Sequence, residues 1–156
     1  MKNRSILILI LGLLSAIGPF SIDTYLSGFP TIAKDLGVTV DEVAYSLSSF
    51  FIGISVGQLI YGPLLDRFGR KKPLMIGLSI YMVASLACAT ANSVEVLIVA
   101  RFLQALGACV GMVAPRAIVR DIFPVEETAK IFSLLMLSLG VSPVMAASVG
   151  SYVIRL

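Results

Sequence analysis

Residues 5–22 read SILILILGLLSAIGPFSI, a stretch of apolar and small residues without a charge. At a rise of about 1.5 Å per residue, a helix of this length nearly spans a hydrocarbon core of about 30 Å. A β-barrel strand would alternate in polarity, and Ile6–Leu14 does not. Because lipid leaves no water to satisfy the backbone, the stretch is predicted to be a transmembrane helix.

The same pattern recurs along the chain. Three further stretches lack any charge: 43–65, 73–94 and 131–154. A fifth, 96–118, is interrupted by Arg101 and Arg116. We therefore predict an all-α membrane protein with five transmembrane helices. The expected bounds form one partial domain over 1–156, with helices at about 5–33, 43–65, 73–94, 96–120 and 128–154.

The composition supports this class and excludes others. Of the 156 residues, 58% are hydrophobic and 13% are charged, which is too few charges to cover a soluble surface. The chain has no His and two Cys, so no metal site and no nucleophile–base pair of an enzyme is expected. Cys88 and Cys109 are predicted to fill small apolar positions.

The basic residues predict the orientation. One side of the predicted bundle carries eight of them: Lys2, Arg4, Arg67, Arg70, Lys71, Lys72, Arg120 and Lys130. The other side carries Lys34 and Arg155 together with four acids. Because short cytoplasmic loops are enriched in Lys and Arg, the N-terminus is expected in the cytoplasm. The net charge of +3 then reports topology, and no nucleic-acid partner is expected.

Two ionisable residues fall inside predicted spans, Asp23 in the first and Arg101 in the fourth. A charge near the bilayer centre costs at least about 2.5–3.5 kcal/mol, which makes a role in function the favoured interpretation. We expect both to face a water-filled cavity, with Gln104 one turn from Arg101 on the same helix face. A structural ion pair, or an Arg101 side chain that reaches the interface, remains the alternative.

The loop after the second span is the most informative motif. It reads GPLLDRFGRKKP over 62–73, with Gly62 and Gly69 expected to permit close approach and a tight turn. Asp66 is an acid among four bases. The positive-inside rule explains the bases but does not require the acid. We predict a contact between Asp66 and Arg120 that closes one conformation and breaks in another.

These motifs resemble the major facilitator superfamily. Residues 62–74 are similar to its G-x-L-x-D-R-x-G-R-K/R loop, and 101–107 resemble its R-x-x-Q-G motif, with Ala105 in place of the first glycine. Residues 22–26 and 117–121 are closer still to the Bcr/CflA (bicyclomycin-resistance) drug:proton antiporters.

The resemblance implies roles for particular residues. Proton coupling and drug binding are carried onto Asp23 and Arg101, with Gln104 beside them. The resemblance assigns conformational gating to a group of residues on the predicted cytoplasmic side: Gly62, Asp66, Arg67, Gly69, Arg70 and Arg120. The resemblance also implies that the fifth span is a bent antiporter helix that contains Gly140, Pro143 and Gly150. No cofactor is expected, and protons serve as the coupling ion.

The resemblance also makes five helices an incomplete number. Members have two six-helix halves, so the chain is expected to be an incomplete N-terminal half that is inactive without a C-terminal half or a second chain. The implied function is proton-coupled export of drugs or small hydrophobic compounds from a bacterial inner membrane. A uniporter or symporter for another solute, and a non-transporting assembly or inhibitory fragment, remain open alternatives.

Overall fold

The structure, a computed structural model, describes the backbone of residues 2–153 and the side chains of residues 4–146. Within these residues the chain forms six helices: α1 (Lys2–Ser27), α2 (Phe29–Leu36), α3 (Val40–Phe68), α4 (Lys71–Ala89), α5 (Val94–Ile122) and α6 (Val125–Val153). Five of these, all but the short α2, are long and apolar enough to cross a membrane. The predicted all-α fold with five spans is confirmed. Arg155, which was placed on the outer side by its sequence position, lies outside the described residues.

The first predicted span, 5–33, is not one helix. It divides into α1 and α2 at Gly28, whose N–H bonds to the Tyr25 carbonyl while its own carbonyl accepts from Ile32. Pro30 lacks the N–H that would continue the α1 ladder, and its ring would meet the carbonyl of Leu26 four residues earlier. The break is therefore a consequence of the Gly28-Phe29-Pro30 sequence.

The starts of α3 and α5 follow from side-chain caps. The Thr39 hydroxyl accepts from the N–H of Glu42, and the Glu42 carboxylate accepts from the N–H of Thr39 at 2.8 Å, so that a capping box begins α3. Ser93 caps α5 by accepting from the N–H of Val96. α4 ends at Ala89, five residues before the predicted bound.

The loop after the second span is shorter than predicted. α3 continues through Pro63 to Phe68, and α4 begins at Lys71, so Gly69 and Arg70 alone connect them. Gly69 has a φ of 77°, a left-handed conformation that favours glycine. The predicted tight turn is confirmed at Gly69, whereas Gly62 lies inside α3, where an added Cβ would meet nothing within 4 Å.

The buried helix α5 is the centre of the bundle, and small residues let its neighbours approach. A Cβ added to Gly53 would lie 2.7 Å from the Ala105 Cβ, and one added to Gly57 would lie 2.8 Å from the Cys109 Cβ. On the opposite side, Gly107 meets the backbone of α4 at Gly77 and Tyr81. Gly53 and Gly57 form one G-x-x-x-G motif, and Gly107 and Gly111 form another, so small residues at this spacing serve helix packing.

Ion pairs connect helix ends at one end of the bundle. We call this the basic end and define it by Arg4, Arg70 and Arg120. Arg4 at the start of α1 lies 3.5 Å from Glu127 at the start of α6. Arg70 lies 2.7 Å from Asp121 near the end of α5. The helix ends that the sequence assigned to one side thus lie together, and α2 lies at the opposite end.

Candidate functional site

A cavity of about 590 Å³ lies between α1, α2, α4 and α5. We call it the arginine cavity because Arg101 is on its wall. Its other polar lining groups are Ser21, Thr24, Tyr25, Asp35, Tyr81, Ser85, Cys88 and Gln104. A membrane protein that encloses this many polar side chains can hold water or a polar solute between its helices.

Arg101 is the charged residue buried deepest in this cavity, with 4% of its surface exposed. Its guanidinium carbon lies 3.3 Å from the centroid of the Tyr25 ring and 5.4 Å from that of Phe50. Stacking on a ring face stabilises a cation that has lost its water. Among the described side chains, no carboxylate lies within 4.0 Å of Arg101, and its buried Nε has no hydrogen-bond partner.

Gln104 connects Arg101 to α4. Its Oε1 accepts from Arg101 Nη1 at 2.7 Å, and its Nε2 donates to the Ser85 hydroxyl at 2.8 Å. The Cys88 thiol donates to the same Oε1 at 3.8 Å. Gln104 therefore fixes the guanidinium by an uncharged contact, and no side chain of residues 4–146 pairs with it as a counter-ion.

Asp23 does not join this site, contrary to the expectation that it faces the same cavity as Arg101. It is partly buried on α1 and is absent from the cavity wall. Thr24 and Tyr25 face the cavity, and the helical turn of about 100° per residue directs Asp23 away from them. No ion pair between Asp23 and Arg101 exists in the described part of the chain.

Several lining residues were missed by reasoning from sequence. Ser21 and Tyr81 share a hydrogen bond of 2.6 Å that connects α1 to α4, and Tyr25 pairs with Ser46 of α3. Polar groups in apolar spans are a weak signal, because a serine often bonds its own helix, as Ser85 does with the Tyr81 carbonyl. The tyrosines were the better signal, since a buried phenol needs a partner.

A second cavity of about 510 Å³ adjoins the first, between α1 and α6. We call it the apolar cavity, because Leu13, Ile17, Val141 and Met145 are on its wall. Phe20 and Tyr81 line both cavities. Asp23 is seven residues beyond Ala16, another lining residue, and so lies two turns along on nearly the same face of α1.

The basic end carries a compact charge cluster. Arg70 donates through Nε and Nη2 to Asp121, at 2.7 and 3.4 Å, and through Nη1 to Asp66 at 2.8 Å. These bonds, the one to Asp121 above all, raise the pKa of the Arg70 guanidinium above its ordinary value. One arginine thus connects the end of α3 to the end of α5.

This geometry corrects the predicted partner of Asp66. Asp66 pairs with Arg70, four residues on, and the ion pairs of the described side chains do not include one between Asp66 and Arg120. Arg120 is exposed near the end of α5. Arg67 stacks on Phe68 at 5.4 Å and does not enter the cluster.

Two residues of the predicted antiporter helix, Gly140 and Pro143, belong neither to the wall of the arginine cavity nor to the charge cluster. Gly140 and the exposed Pro143 are in α6, which runs unbroken through the proline. A Cβ on Gly140 would meet nothing within 4 Å. Gly150 also falls within α6, but its surroundings lie outside the described residues.

Residues 9–156 match the family described as the Major Facilitator Superfamily. The chain belongs to that superfamily. The match covers the first span from residue 9 onwards, the other four spans, both cavities and the charge cluster. The resemblance seen in the Asp66 and Arg101 motifs is thereby confirmed.

Similar proteins carry names from transport and drug resistance. The chain is 44% identical over 155 residues to the "Uncharacterized MFS-type transporter YdgK" of Bacillus subtilis, covering 99% of the chain and 39% of that protein. It is 36% identical over 154 residues to the "Bicyclomycin resistance protein homolog" of Haemophilus influenzae, with coverage of 99% and 39%. It is 35% identical over 150 residues to "Multidrug resistance protein D" of Escherichia coli, with coverage of 96% and 38%. The chain therefore spans about two fifths of the length of these relatives.

Proposed function

We propose that this superfamily member forms part of a secondary transporter that exports drugs or small hydrophobic compounds in exchange for protons. The observation that carries the proposal is the buried Arg101, which has no counter-ion among the described side chains and lies beside a cavity of about 590 Å³. A protein seldom keeps such a charge inside a membrane span unless a solute or ion uses it. Relatives named for resistance to bicyclomycin and to multiple drugs support the substrate class.

Asp23 is the proposed proton site. It is an acid inside a membrane span, partly buried, and its carboxylate has no ion pair in the described chain. Such a group can bind and release a proton without first breaking a salt bridge. Because Asp23 points away from the side of α1 that faces Arg101 of α5, protonation would act on drug binding through movement of α1 and not through direct contact.

The charge cluster at the basic end is the proposed conformational switch. Arg70 holds α3 and α5 together through Asp66 and Asp121. Opening that end of the bundle would require at least one of these bonds to break, whereas closing would restore both. We place this end in the cytoplasm of a bacterial inner membrane because its bases follow the positive-inside pattern.

A further set of helices is part of the proposal. The relatives are more than twice as long as this chain, and superfamily transporters alternate access between two halves. We propose that the 156 residues alone are inactive and require a second half, either from the same gene or from another chain. The lipid bilayer and a drug-like compound are the other proposed partners.

The test uses the complete product of the gene in a bacterium that lacks its own efflux pumps. We expect raised resistance to bicyclomycin or chloramphenicol, and drug-dependent proton release in inverted membrane vesicles. Asp23→Asn should abolish the proton signal, and Asp23→Glu should retain part of it. Asp41→Asn removes an exposed acid at the start of α3 and is the matched control.

Three results would contradict the proposal. Export without proton movement would indicate a uniporter. Full proton coupling in Asp23→Asn would remove Asp23 from the mechanism. Resistance conferred by residues 1–156 alone would contradict the requirement for a second half.

A further inference from the structure

Ser46 of α3 connects two helices through one buried hydroxyl. The hydroxyl donates to the Val43 carbonyl at 2.5 Å, a bond within α3 of the kind that serines in helices often make. The same oxygen also lies 2.5 Å from the Tyr25 phenol oxygen of α1. Because the serine has one proton and Val43 accepts it, the phenol is the donor in the second bond. A hydroxyl that is 0% exposed thus accepts from a tyrosine on another helix.

The Tyr25 ring has a defined position because three side chains contact it. Its hydroxyl lies on the axis about which the ring turns, so the bond to Ser46 fixes the direction of the side chain. An edge-to-face contact with Phe29 of α2, with 5.0 Å between the centroids, restricts rotation about that axis. The face of the ring lies against the Arg101 guanidinium, whose carbon is 3.3 Å from the ring centroid.

The Arg101 guanidinium is held by one hydrogen bond and two rings among the described side chains. Its Nη1 donates to Gln104 Oε1 at 2.7 Å, whereas its buried Nε has no hydrogen-bond partner. The rings are those of Tyr25, at 3.3 Å, and Phe50, at 5.4 Å. One hydrogen bond leaves the group free to turn about that nitrogen. The nearer ring therefore determines the plane in which the guanidinium lies.

The residues that carry this arrangement are buried by the described helices themselves. Ser46 and Phe50 are four residues apart on α3 and so share one face of that helix. Their exposed fractions are 0% and 1%, and that of Arg101 is 4%. The contacts between α1, α3 and α5 are therefore inside the bundle and not on a surface that further helices would cover.

We propose that Ser46 is a positioning residue, which determines where the Arg101 guanidinium lies by holding the Tyr25 phenol. This rests on the proposed function, in which Arg101 is the central charge, and adds to it a residue that acts on the arginine only through another side chain. Without the Ser46 hydroxyl, the phenol would lose its acceptor. The ring would turn towards another partner, and the guanidinium would lose the face that stabilises it.

The test measures the position of the guanidinium by proton–nitrogen NMR. The complete gene product carries isotope-labelled arginine in lipid nanodiscs, and the signal that disappears in Arg101→Lys identifies Arg101. Protons over a ring face are shifted by its ring current, so Tyr25→Leu gives the signal position without the ring. We expect Ser46→Ala to move the signal towards that position. Tyr25→Phe, which keeps the ring and removes its hydroxyl, should move it in the same direction.

Ser21→Ala is the matched control. It removes the hydroxyl that contacts the Tyr81 phenol at 2.6 Å, and so loses the same kind of bond, here between α1 and α4. Both serine variants should lose similar thermal stability, but Ser46→Ala alone should shift the Arg101 signal. Combining Ser46→Ala with Tyr25→Phe should shift the signal no further than either change alone, because both remove the same bond.

The displacement should also reach export under the proposed function. In vesicles, the drug concentration for half-maximal export by Ser46→Ala should rise at least about threefold, as the loss of one hydrogen bond predicts. The maximal rate should stay within about twofold, because a weakened ground-state contact raises KM and leaves kcat unchanged. A general loss of folded protein would instead lower the maximal rate and leave the half-maximal concentration unchanged.

An unchanged Arg101 signal in Ser46→Ala or in Tyr25→Phe would overturn the inference, as would an equal shift in Ser21→Ala. A shifted signal with an unchanged half-maximal concentration would overturn it as well, because the position of the guanidinium would then have no part in export. Failure of the proposed function looks different. It gives no drug export by the unsubstituted protein and leaves the NMR comparison intact.

Discussion

Arg70 contacts Asp121 through two nitrogens, with 2.7 Å between Nε and Oδ2 and 3.4 Å between Nη2 and Oδ1. The two residues are 51 positions apart, and the contact joins the loop between α3 and α4 to the last turn of α5. The same guanidinium also binds Asp66. A single side chain therefore holds two helix ends that no backbone connection brings together.

Replacing Arg70 by Ala should reduce transport far more than stability. The pair is partly exposed, with 22% of the Arg70 side chain and 44% of that of Asp121 accessible. Exposed ion pairs contribute about 0.2–1 kcal/mol, so unfolding of the complete gene product should change little. If the charge cluster is the switch that we propose, initial drug export by the complete gene product, measured in vesicles, should fall at least about tenfold, because the closed state loses its contact. The matched control is Lys72→Ala, which removes a neighbouring exposed base outside the gating set. Equal losses in both variants would contradict a specific role for Arg70.

Gly107→Val should destabilise the fold. A side chain there would meet the Gly77 carbonyl oxygen and the Tyr81 backbone of α4, and backbone atoms cannot rotate away. Overpacking costs about 1–3 kcal/mol, and the cost here should reach the upper part of that range. Thermal unfolding followed by circular dichroism provides the measurement. Gly140→Ala is the contrasting variant, because its methyl group enters open space within the chain and helix propensity favours Ala by up to about 1 kcal/mol. A native melting temperature in Gly107→Val would show that the two helices can separate at little cost.

Tyr81→Phe should weaken the connection between α1 and α4. The variant keeps the ring on the wall of both cavities and removes the hydroxyl that contacts Ser21 at 2.6 Å. A buried hydrogen bond contributes about 0.5–1.5 kcal/mol, which sets the expected loss in free energy of unfolding. Tyr45→Phe alters an exposed tyrosine and should change stability by less than about 0.5 kcal/mol. Indistinguishable losses in the two variants would show that the Ser21 contact adds nothing.

The two cysteines should differ in reactivity. Cys88 lines the arginine cavity, whereas Cys109 is fully buried against Gly57. In variants that retain one cysteine each, we expect N-ethylmaleimide to label Cys88 at least about tenfold faster than Cys109, because access controls thiol modification. Mass spectrometry of timed samples gives both rates. Faster labelling of Cys109 would mean that the cavity is closed to small solutes and that α5 opens elsewhere.

The spans were predictable because charge-free stretches of membrane length have one stable backbone solution, the helix. Arg101 and Gln104 were identified for a similar reason, since a charge in a span and a polar group three residues later share a face. The ends of helices depended on short-range chemistry that hydropathy does not report. Pro30 divides the first span, and the Thr39 capping box moves the start of α3 to Val40.

Two features could not be predicted from hydropathy and spacing: the side of α1 on which Asp23 lies, and the partner of Asp66. Depth along a helix follows from counting residues, but two residues at similar depth can face different neighbours. Asp66 had two possible cations nearby, Arg70 in sequence and Arg120 across the bundle. The choice of Arg70 depends on a two-residue loop that the sequence did not reveal.

The break at Gly28 also determines how deep the arginine cavity lies in the bilayer. α1 alone has 26 residues and rises about 39 Å, which already exceeds a hydrocarbon core of about 30 Å. We therefore expect the chain to cross the hydrocarbon before α2 begins, and α2, with Lys34 and Asp35, to lie at the level of the lipid headgroups. Because Ile32, Asp35 and Leu36 line the cavity, we expect that wall of the cavity to lie in the headgroup layer. Under the proposed function, a compound that enters or leaves past α2 would exchange with the headgroup layer and not with bulk water.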